Sequence, residues 1–421
     1  MKHTLRSQAD QIVSAAIEAV LPDAAVVRAL EGVIFSGRLV LVAVGKAAWQ
    51  MAKATHDHLG SRIEKGIVIS KYGHIKGSVG NLLCREAGHP VPDENSFCAT
   101  REALELVSGL TAQDTVLFLL SGGGSALFEA PLVCAEELQS ITSQLLACGA
   151  EITEINTIRK RLSAVKGGRF ARHCAPAKVF SVVLSDIVGD PLDMIASGPA
   201  CPDSSTCAQA LEIAKKYHLR LSEDAWNCLR QETPKSISNV TTQITGSVRQ
   251  LCAAAAAAAE KLGYETCILT DQLNCQAREA GSFLASIART HHGSGRKLAF
   301  IAGGETVVKL TGTGKGGRNQ ELALAAAIGI DGLDGTCVFS IGSDGTDGPT
   351  DAAGGYVDAA TVQVLRSRKI DPYEVLQNND AYHALQQTGG LIFTGPTGTN
   401  VNDVAVLLLD PGKQVLMPAE K

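Results

Sequence analysis

Aromatic residues are scarce in this chain, at 4% of 421 positions, while alanine, valine, leucine and glycine abound. Such a core cannot rest on stacked rings; it suits buried parallel strands covered by small-residue helices. A basic excess is also missing. The formal charge is −5, which speaks against nucleic acid or a membrane surface as a general partner. No apolar run reaches the ~18 residues needed to cross a bilayer. The longest candidate, Ala253 to Ala259, reads as part of a short alanine helix. The N-terminal stretch lacks a signal-type apolar region, and Ala9 to Val20 reads as an amphipathic helix of the folded chain. The twelve cysteines form no CxxC pair and no Cys/His cluster of zinc spacing. Cys267 and Cys337 lie inside apolar runs, where a thiol serves as a small hydrophobe. A reducing, cytoplasmic compartment without structural disulfides is expected.

What the chain does have is a recurring unit: an apolar strand that ends in small and acidic residues. Thr115 to Leu120 runs without a charge into Ser121, Gly122, Gly123, Gly124 and Ser125. Three glycines leave backbone N–H groups uncovered, so a phosphate can approach closely. Lys297 to Glu305 and Val338 to Gly345 repeat the habit, although no internal repeat is strong enough to define.

The length favours two domains. Strands are expected at 39–45, 66–70, 82–87, 116–121 and 178–185, with helices at 47–59, 96–110, 135–148 and 156–173 between them. Alternating strands and helices imply a parallel sheet covered on both faces, with ligands beyond the carboxyl ends of its strands. A polar, turn-rich stretch from Gln231 sets the boundary near 240. After it come a helix at 247–262, strands at 265–270, 297–302, 307–310, 336–341, 391–394 and 405–409, and a helix from about Asn319. The expectation is two Rossmann-like α/β/α domains, 1–240 and 241–421, with a cleft between them.

Several turns carry candidate chemistry. Lys46 follows Gly45 where a strand gives way to a helix, a place that favours anions; the alternative is a solvated loop lysine. Ser121 to Ser125 reads as an anion cradle, or as a tight turn. Arg159 and Lys166, seven apart, would share one helical face, either as a solvated basic surface or as a cleft wall attracting a carboxylate or phosphates. Asp186 and Asp190, at a strand end, suit Mg²⁺ held through water and phosphates, or a general base; a helix cap is the plain alternative. Gly303, Glu305, Gly316, Gly317, Arg318 and Asn319 frame a glycine-rich loop running into a helix, the strongest phosphoryl-binding signal here. Asp344, Asp347 and Asp351 crowd one glycine-rich turn that is no EF-hand, for lack of the glutamate at the twelfth position. Asn400 and Asp403 lie on a loop able to hydrogen-bond a sugar, a ribose or a metal-bound water, or to serve structure alone.

Taken in order, these stretches resemble the class II glycerate kinases. The pieces that carry the likeness are Val44-Gly45-Lys46, Ser121 to Ser125, Ser185 to Pro191, Gly303 to Thr306, Gly316 to Glu321, Gly342 to Pro349 and Asn400 to Asp403. The resemblance spans nearly the whole chain. It implies a Rossmann-like domain followed by a MOFRL domain, and transfer of phosphate from ATP to D-glycerate, giving 2-phosphoglycerate with Mg²⁺. The family's active-site lysine falls on Lys46 and its arginine on Arg318. Asp186 and Asp190 would then assist catalysis, and Asp344 and Asp347 would hold Mg²⁺. The turn at Ser121 to Ser125 would cradle phosphate, with Gly303, Glu305, Gly316, Gly317 and Asn319 also toward ATP. Arg159, Lys166, Asn400 and Asp403 would face the substrate. Neither nucleic acid nor membrane is implied, and a homodimer is the candidate assembly. Phosphoryl transfer needs positioning and charge neutralisation, which glycine loops, cations and acidic turns supply. Competing readings are an NAD(P)H-dependent hydroxypyruvate reductase, whose GxGxxG fingerprint is missing at Gly45, and a non-catalytic nucleotide or sugar-phosphate sensor.

Overall fold

The two fully buried strands of the first half, Leu39–Val44 (β1) and Thr115–Leu120 (β4), lie side by side at the centre of a sheet. Around them stand Lys65–Lys71 (β2), Leu83–Ala87 (β3), Lys178–Leu184 (β5) and Val240–Gly246 (β6). This is a computed structural model that describes residues 4–411. The strand order is β3-β2-β1-β4-β5-β6. The pairs β2/β3, β1/β2, β1/β4 and β4/β5 are all parallel. This is the order of doubly wound nucleotide-binding sheets, and it reverses between β1 and β4.

Both faces of the sheet are apolar because both are covered. Val40, Val42, Val44, Val116, Phe118 and Leu120 pack with Ala99, Ala103 and Val107 of the helix Glu94–Val107. The alternate residues Leu39, Leu41, Ala43, Leu117 and Leu119 pack with Ala48, Met51 and Ala52 of the helix Ala48–Leu59. Period-two alternation in an all-apolar strand therefore feeds two cores rather than one core and solvent. The connections after β1 and β4 leave toward opposite faces, which opens a crevice beyond their carboxyl ends.

One expected element is broken. The stretch 156–173 is not a single helix: Ile152–Arg161 ends, and Arg169–Cys174 starts afresh. Gly167 and Gly168 between them have φ of 57° and 80°, which a continuing helix cannot accommodate. Because the first helix stops at Arg161 and Ser163 turns aside to bridge Pro131, Arg159 and Lys166 share no helical face.

The second sheet is built from Glu265–Leu273 (β7), Leu298–Gly304 (β8), Thr336–Gly342 (β9), Gly354–Asp358 (β10), Leu391–Ile392 (β11) and Asp403–Leu409 (β12). Its order is β11-β10-β9-β12-β8-β7. Here β7/β8 is parallel, while β12 runs antiparallel to both neighbours and β10 antiparallel to β9. Its first residue, Asp403, therefore lies opposite Gly304 and Gly342, the last residues of β8 and β9. The expected strand at 307–310 is only a single bridge, Gln276 to Val307.

The chain divides into two compact units, Pro22–Thr245 and a second formed by the segment up to Leu21 with the segment from Gly246 on. The sequence reading kept residues 1–240 together. The helix Leu5–Val20 instead buries Ala9, Ile12, Val13 and Ala16 against Val248, Leu251 and Ala255 of the helix Val248–Lys261. The strand Val240–Gly246 completes the first sheet, so that unit runs a few residues past 240. Among the described residues, no helix is long and apolar enough to cross a membrane.

Candidate active site

In the unit Pro22–Thr245, β1 and β4 meet at their carboxyl ends through glycine. Gly45 has φ of 125°, and a Cβ on it would lie 2.2 Å from the Ser121 hydroxyl. That close approach ties the two turns together. Lys46 N donates to Gly122 O at 2.9 Å, and Ala47 N donates to Ser121 Oγ at 3.1 Å. Ser70, near the end of β2, donates its hydroxyl to Gly45 O at 2.9 Å. With its backbone so fixed, Lys46 lies along Gly123: a Cβ there would come within 3.2 Å of Lys46 Cγ. Among the described residues no group accepts from the amides of Gly122 and Gly123. Two such donors beside an ammonium make an anion cradle.

Other strand ends converge on the same two glycines. Asp186, just past β5, places Oδ2 2.2 Å from where a Cβ on Gly122 would be. His89, just past β3, places Nε2 3.2 Å from the corresponding point on Gly123. His74 Nδ1 lies 3.0 Å from the Lys46 carbonyl, so that nitrogen carries the proton and donates. Burial, followed by the charges of Lys46, Lys71 and His74, holds His89 below the ordinary imidazole value. The pocket is thus positive over Gly123 and negative over Gly122.

Farther along, Ser125 Oγ lies 3.3 Å from Ser197 Oγ, and Ser197 donates to Asn156 Oδ1 at 2.9 Å. Ala196 and Ser197 hold φ of 51° and 60°, strained values for non-glycine residues. Arg159 joins this group by donating from Nη2 to Ser125 O at 3.0 Å; its buried Nε makes no hydrogen bond among the described residues. Asp190 follows Asp186 in its loop at φ 52°, with Oδ1 buried and without a hydrogen bond among the described residues.

The rest of the basic stretch is internal. Lys166 is fully buried 2.8 Å from the Glu129 carboxylate and donates to Phe128 O at 2.8 Å. Burial pushes its ammonium down to about 8, against the pull of Glu129. Lys160 bridges Asp193 and Asp203, Arg161 bonds Ser205 and Glu232, and Arg169 donates to three carbonyls. Neither a solvated basic face nor a cleft wall describes these four side chains. They hold the framework beneath Arg159, and the substrate-facing role expected of Lys166 does not fit its burial.

In the second unit the functional side chains gather where β12 begins. Arg318 opens the helix Arg318–Gly329 and grips Asp403 with two parallel bonds, Nε–Oδ2 at 2.5 Å and Nη2–Oδ1 at 3.1 Å. Its Nη1 donates to Glu305 Oε1 at 2.8 Å. Burial works to lower the guanidinium, but the Asp403 hydrogen bonds and charge outweigh it, so Arg318 is raised and always charged. Above Gly342, a Cβ would meet Asp344 Oδ1 at 3.2 Å and Asp403 Oδ1 at 3.4 Å. Asn400 is exposed and accepts from Asn402 N at 3.3 Å.

The glycine-rich loop before Arg318 is not an open cradle. Asn379 Oδ1 accepts from Thr311 N at 2.7 Å and Gly312 N at 3.0 Å, Asn378 Oδ1 from Thr313 N at 3.2 Å, and Asp380 Oδ1 from Lys315 N at 2.9 Å. Those amides already have acceptors. Gly317 has another purpose: a Cβ on it would strike the Asp347 carboxylate at 2.2 Å. Asp347 accepts from Asn319 N at 3.1 Å and Gln320 N at 2.9 Å, capping the helix from outside its own segment. Burial pushes Asp347 up to about 6, against those amides. Asn319 is buried too, accepting from Ser340 Oγ at 2.5 Å. Gly303 is needed for packing, since a Cβ would meet Cys252 Sγ at 2.3 Å. Gly303, Gly317, Asn319 and Asp347 thus support Arg318 from within, and Asp347, with both oxygens engaged, does not suit a metal. Among the described residues no three His, Cys, Asp or Glu side chains group as a metal cage.

Sequence reasoning passed over His89. Its signal was available: Gly88 and His89 directly follow β3, the position that drew attention at the ends of β1, β4 and β5.

Comparison with known proteins adds the following. A family described as a domain of unknown function, DUF4147, matches residues 8–230, and the MOFRL family matches residues 298–403. A protein of Thermotoga maritima named D-glycerate 2-kinase is 54% identical over 412 residues, 96% of this chain and 99% of that one. An Agrobacterium vitis protein named putative hydroxypyruvate reductase is 39% identical, covering 89% of this chain and 87% of its own. The crystal structure of a glycerate kinase from Thermotoga maritima superposes with a TM-score of 0.92 at 53% identity, over 96% of this chain and 99% of that chain.

Proposed function

The chain belongs to the glycerate kinase family, a DUF4147 domain followed by a MOFRL domain, and from that premise we propose that it transfers the terminal phosphoryl group of ATP to the 2-hydroxyl of D-glycerate. The observation that carries this reading is the crevice of the first sheet. There a lysine, two unclaimed glycine amides and a carboxylate meet at the strand-order reversal. Such a crevice binds and orients polyanions.

In this reading the Gly122 and Gly123 amides hold phosphate oxygens, and Lys46 neutralises the charge that spreads over the transferring group. Asp186 orients the acceptor hydroxyl. Arg159, tied to the turn through Ser125 O, attracts the glycerate carboxylate. In the second unit, Arg318 keeps Asp403 as a fixed partner, and the more exposed Glu305 is the one that an anion could displace. Within the second unit, Asp344 is the side chain that would hold Mg²⁺, as one carboxylate of an ion otherwise ligated by water and substrate oxygens. Such an ion would supply charge neutralisation for the phosphate groups.

Incubation with D-glycerate, Mg-ATP and enolase, followed by ultraviolet detection of phosphoenolpyruvate, tests the assignment. Product without added phosphoglycerate mutase is expected. Product that needs the mutase would point to the 3-hydroxyl instead. A reductase reading is favoured by the strand order and by the name of the Agrobacterium vitis relative. Oxidation of NADH by hydroxypyruvate, with ATP untouched, would establish it in place of the kinase.

A further inference from the structure

Three side chains meet over Gly122 and Gly123, and the proposed function gives tasks to two of them, Lys46 and Asp186. The third, His89, is held by a built frame. Asp93 Oδ1 accepts from Gly88 N and Ser96 N, each at 3.0 Å, and Asp93 Oδ2 accepts from the Tyr72 hydroxyl at 2.6 Å. Asn95 in turn donates to Tyr72 Oη at 2.8 Å. On the opposite side, Glu86 Oε1 accepts from Gly73 N at 2.8 Å and Ile75 N at 3.1 Å, fixing the loop that carries His74 to the Lys46 carbonyl. Two acidic anchors thus lock the two loops beside Lys46, the kind of support that preorganised sites require. The His89 ring is half-buried, yet among the described residues neither ring nitrogen has a hydrogen-bond partner. Half-buried polar rings ordinarily find one.

We propose that His89 takes the proton from the hydroxyl that is phosphorylated, a role that rests on the phosphoryl-transfer reading above. The acceptor O–H bond breaks and its proton passes to a ring nitrogen of His89. The freed electron pair forms the new O–P bond, the bond from phosphorus to the bridging oxygen of ATP breaks, and ADP leaves. Solvent later removes the proton from the imidazolium. The charged and titratable groups facing the ring are Lys46 from the end of β1, Lys71 and His74 from the end of β2, and Asp186 beyond the neighbouring glycine; Asp93 anchors its own turn. Burial first, and then these cations, disfavour a charged ring, which favours the neutral form that can accept a proton.

The test measures kcat and KM for D-glycerate with Mg-ATP on the full chain, from about pH 5 to about pH 9, for wild type, H89Q, H74Q and D186N. The expected H89Q result is a fall in kcat of about 100-fold or more, KM within about 3-fold, an unchanged melting temperature, and loss of the acidic limb of the pH profile. H74Q should keep that limb, and in a further variant, H89A, added imidazole should partly restore kcat. H89Q with kcat within a few-fold of wild type, or with the acidic limb intact, overturns the proposal. Loss of that limb in D186N alone transfers the role to Asp186. A wild-type protein that makes no phosphoglycerate overturns both this role and the function it rests on.

Discussion

At the scale of single residues, charge means different things according to what surrounds it. Lys46 lies half-buried over bare amides, whereas Lys166 is sealed against Glu129. Lys46→Ala should therefore lower kcat by about 100-fold or more and leave the melting temperature near that of wild type. Lys166→Ala should strand the buried Glu129 carboxylate and cost about 3–5 kcal/mol, read by urea unfolding followed by circular dichroism. Folding drops the Lys166 pKa from its ordinary 10.5 to about 8, so across that window the unfolded chain binds more protons than the folded one. The contribution of this lysine to stability accordingly rises as pH climbs from about 8 to about 10.5, and falls away as pH drops through about 8. A K166M variant should flatten that slope; an unchanged slope would contradict the assignment. None of this was readable along the chain, because Glu129 is remote in sequence and the helix expected to carry Lys166 ends at Arg161. Lys46 was readable, since its setting is made by its immediate neighbours.

Elements show the same division between local and distant causes. Strands β1 and β4 were legible because uninterrupted apolar runs of strand length bury on both faces. The first part of the loop ahead of Arg318 differs for the converse reason: its glycines resemble a phosphate cradle, but Asn378, Asn379 and Asp380 take up the amides of Thr311, Gly312, Thr313 and Lys315. That loop is better regarded as the mount of Arg318. Asn379→Ala would remove the acceptor for Thr311 N and Gly312 N and should cost about 1–3 kcal/mol in chemical denaturation. It should also lower kcat, because the start of the helix Arg318–Gly329 loses its fixed approach. Full activity in N379A would separate the loop from the reaction. At the other turn, Gly123→Ala places a Cβ at φ 89° against Lys46 and His89. Activity should collapse there, with a change in stability of only about 1–2 kcal/mol.

For the whole molecule, composition and order along the chain foretold two α/β units, while the N-terminal helix had to be seen in place. Its apolar stripe is the ordinary pattern of any surface helix, and nothing in that pattern says which core receives it. Ile12 is buried in the same core cluster as Phe339, Val404 and Val406 of the second sheet. Ile12→Asp should lower protection from hydrogen exchange in β8, β9 and β12, measured by mass spectrometry, and leave β1 and β4 protected. Loss confined to β1 and β4 would contradict the assignment of the helix. The antiparallel entry of β12 was equally hidden, yet it is what brings Asp403 to the ends of β8 and β9 and so to Arg318.

The account depends on chemistry at the paired glycines of the first sheet. A single-turnover experiment with ATP labelled at its terminal phosphate, D-glycerate and Mg²⁺ addresses it directly, comparing wild type with K46A and G123A at equal occupancy. Label should pass to the 2-position of glycerate in wild type and be slowed by about 100-fold or more in both variants. Transfer at the wild-type rate in either variant would place the reaction elsewhere on the molecule.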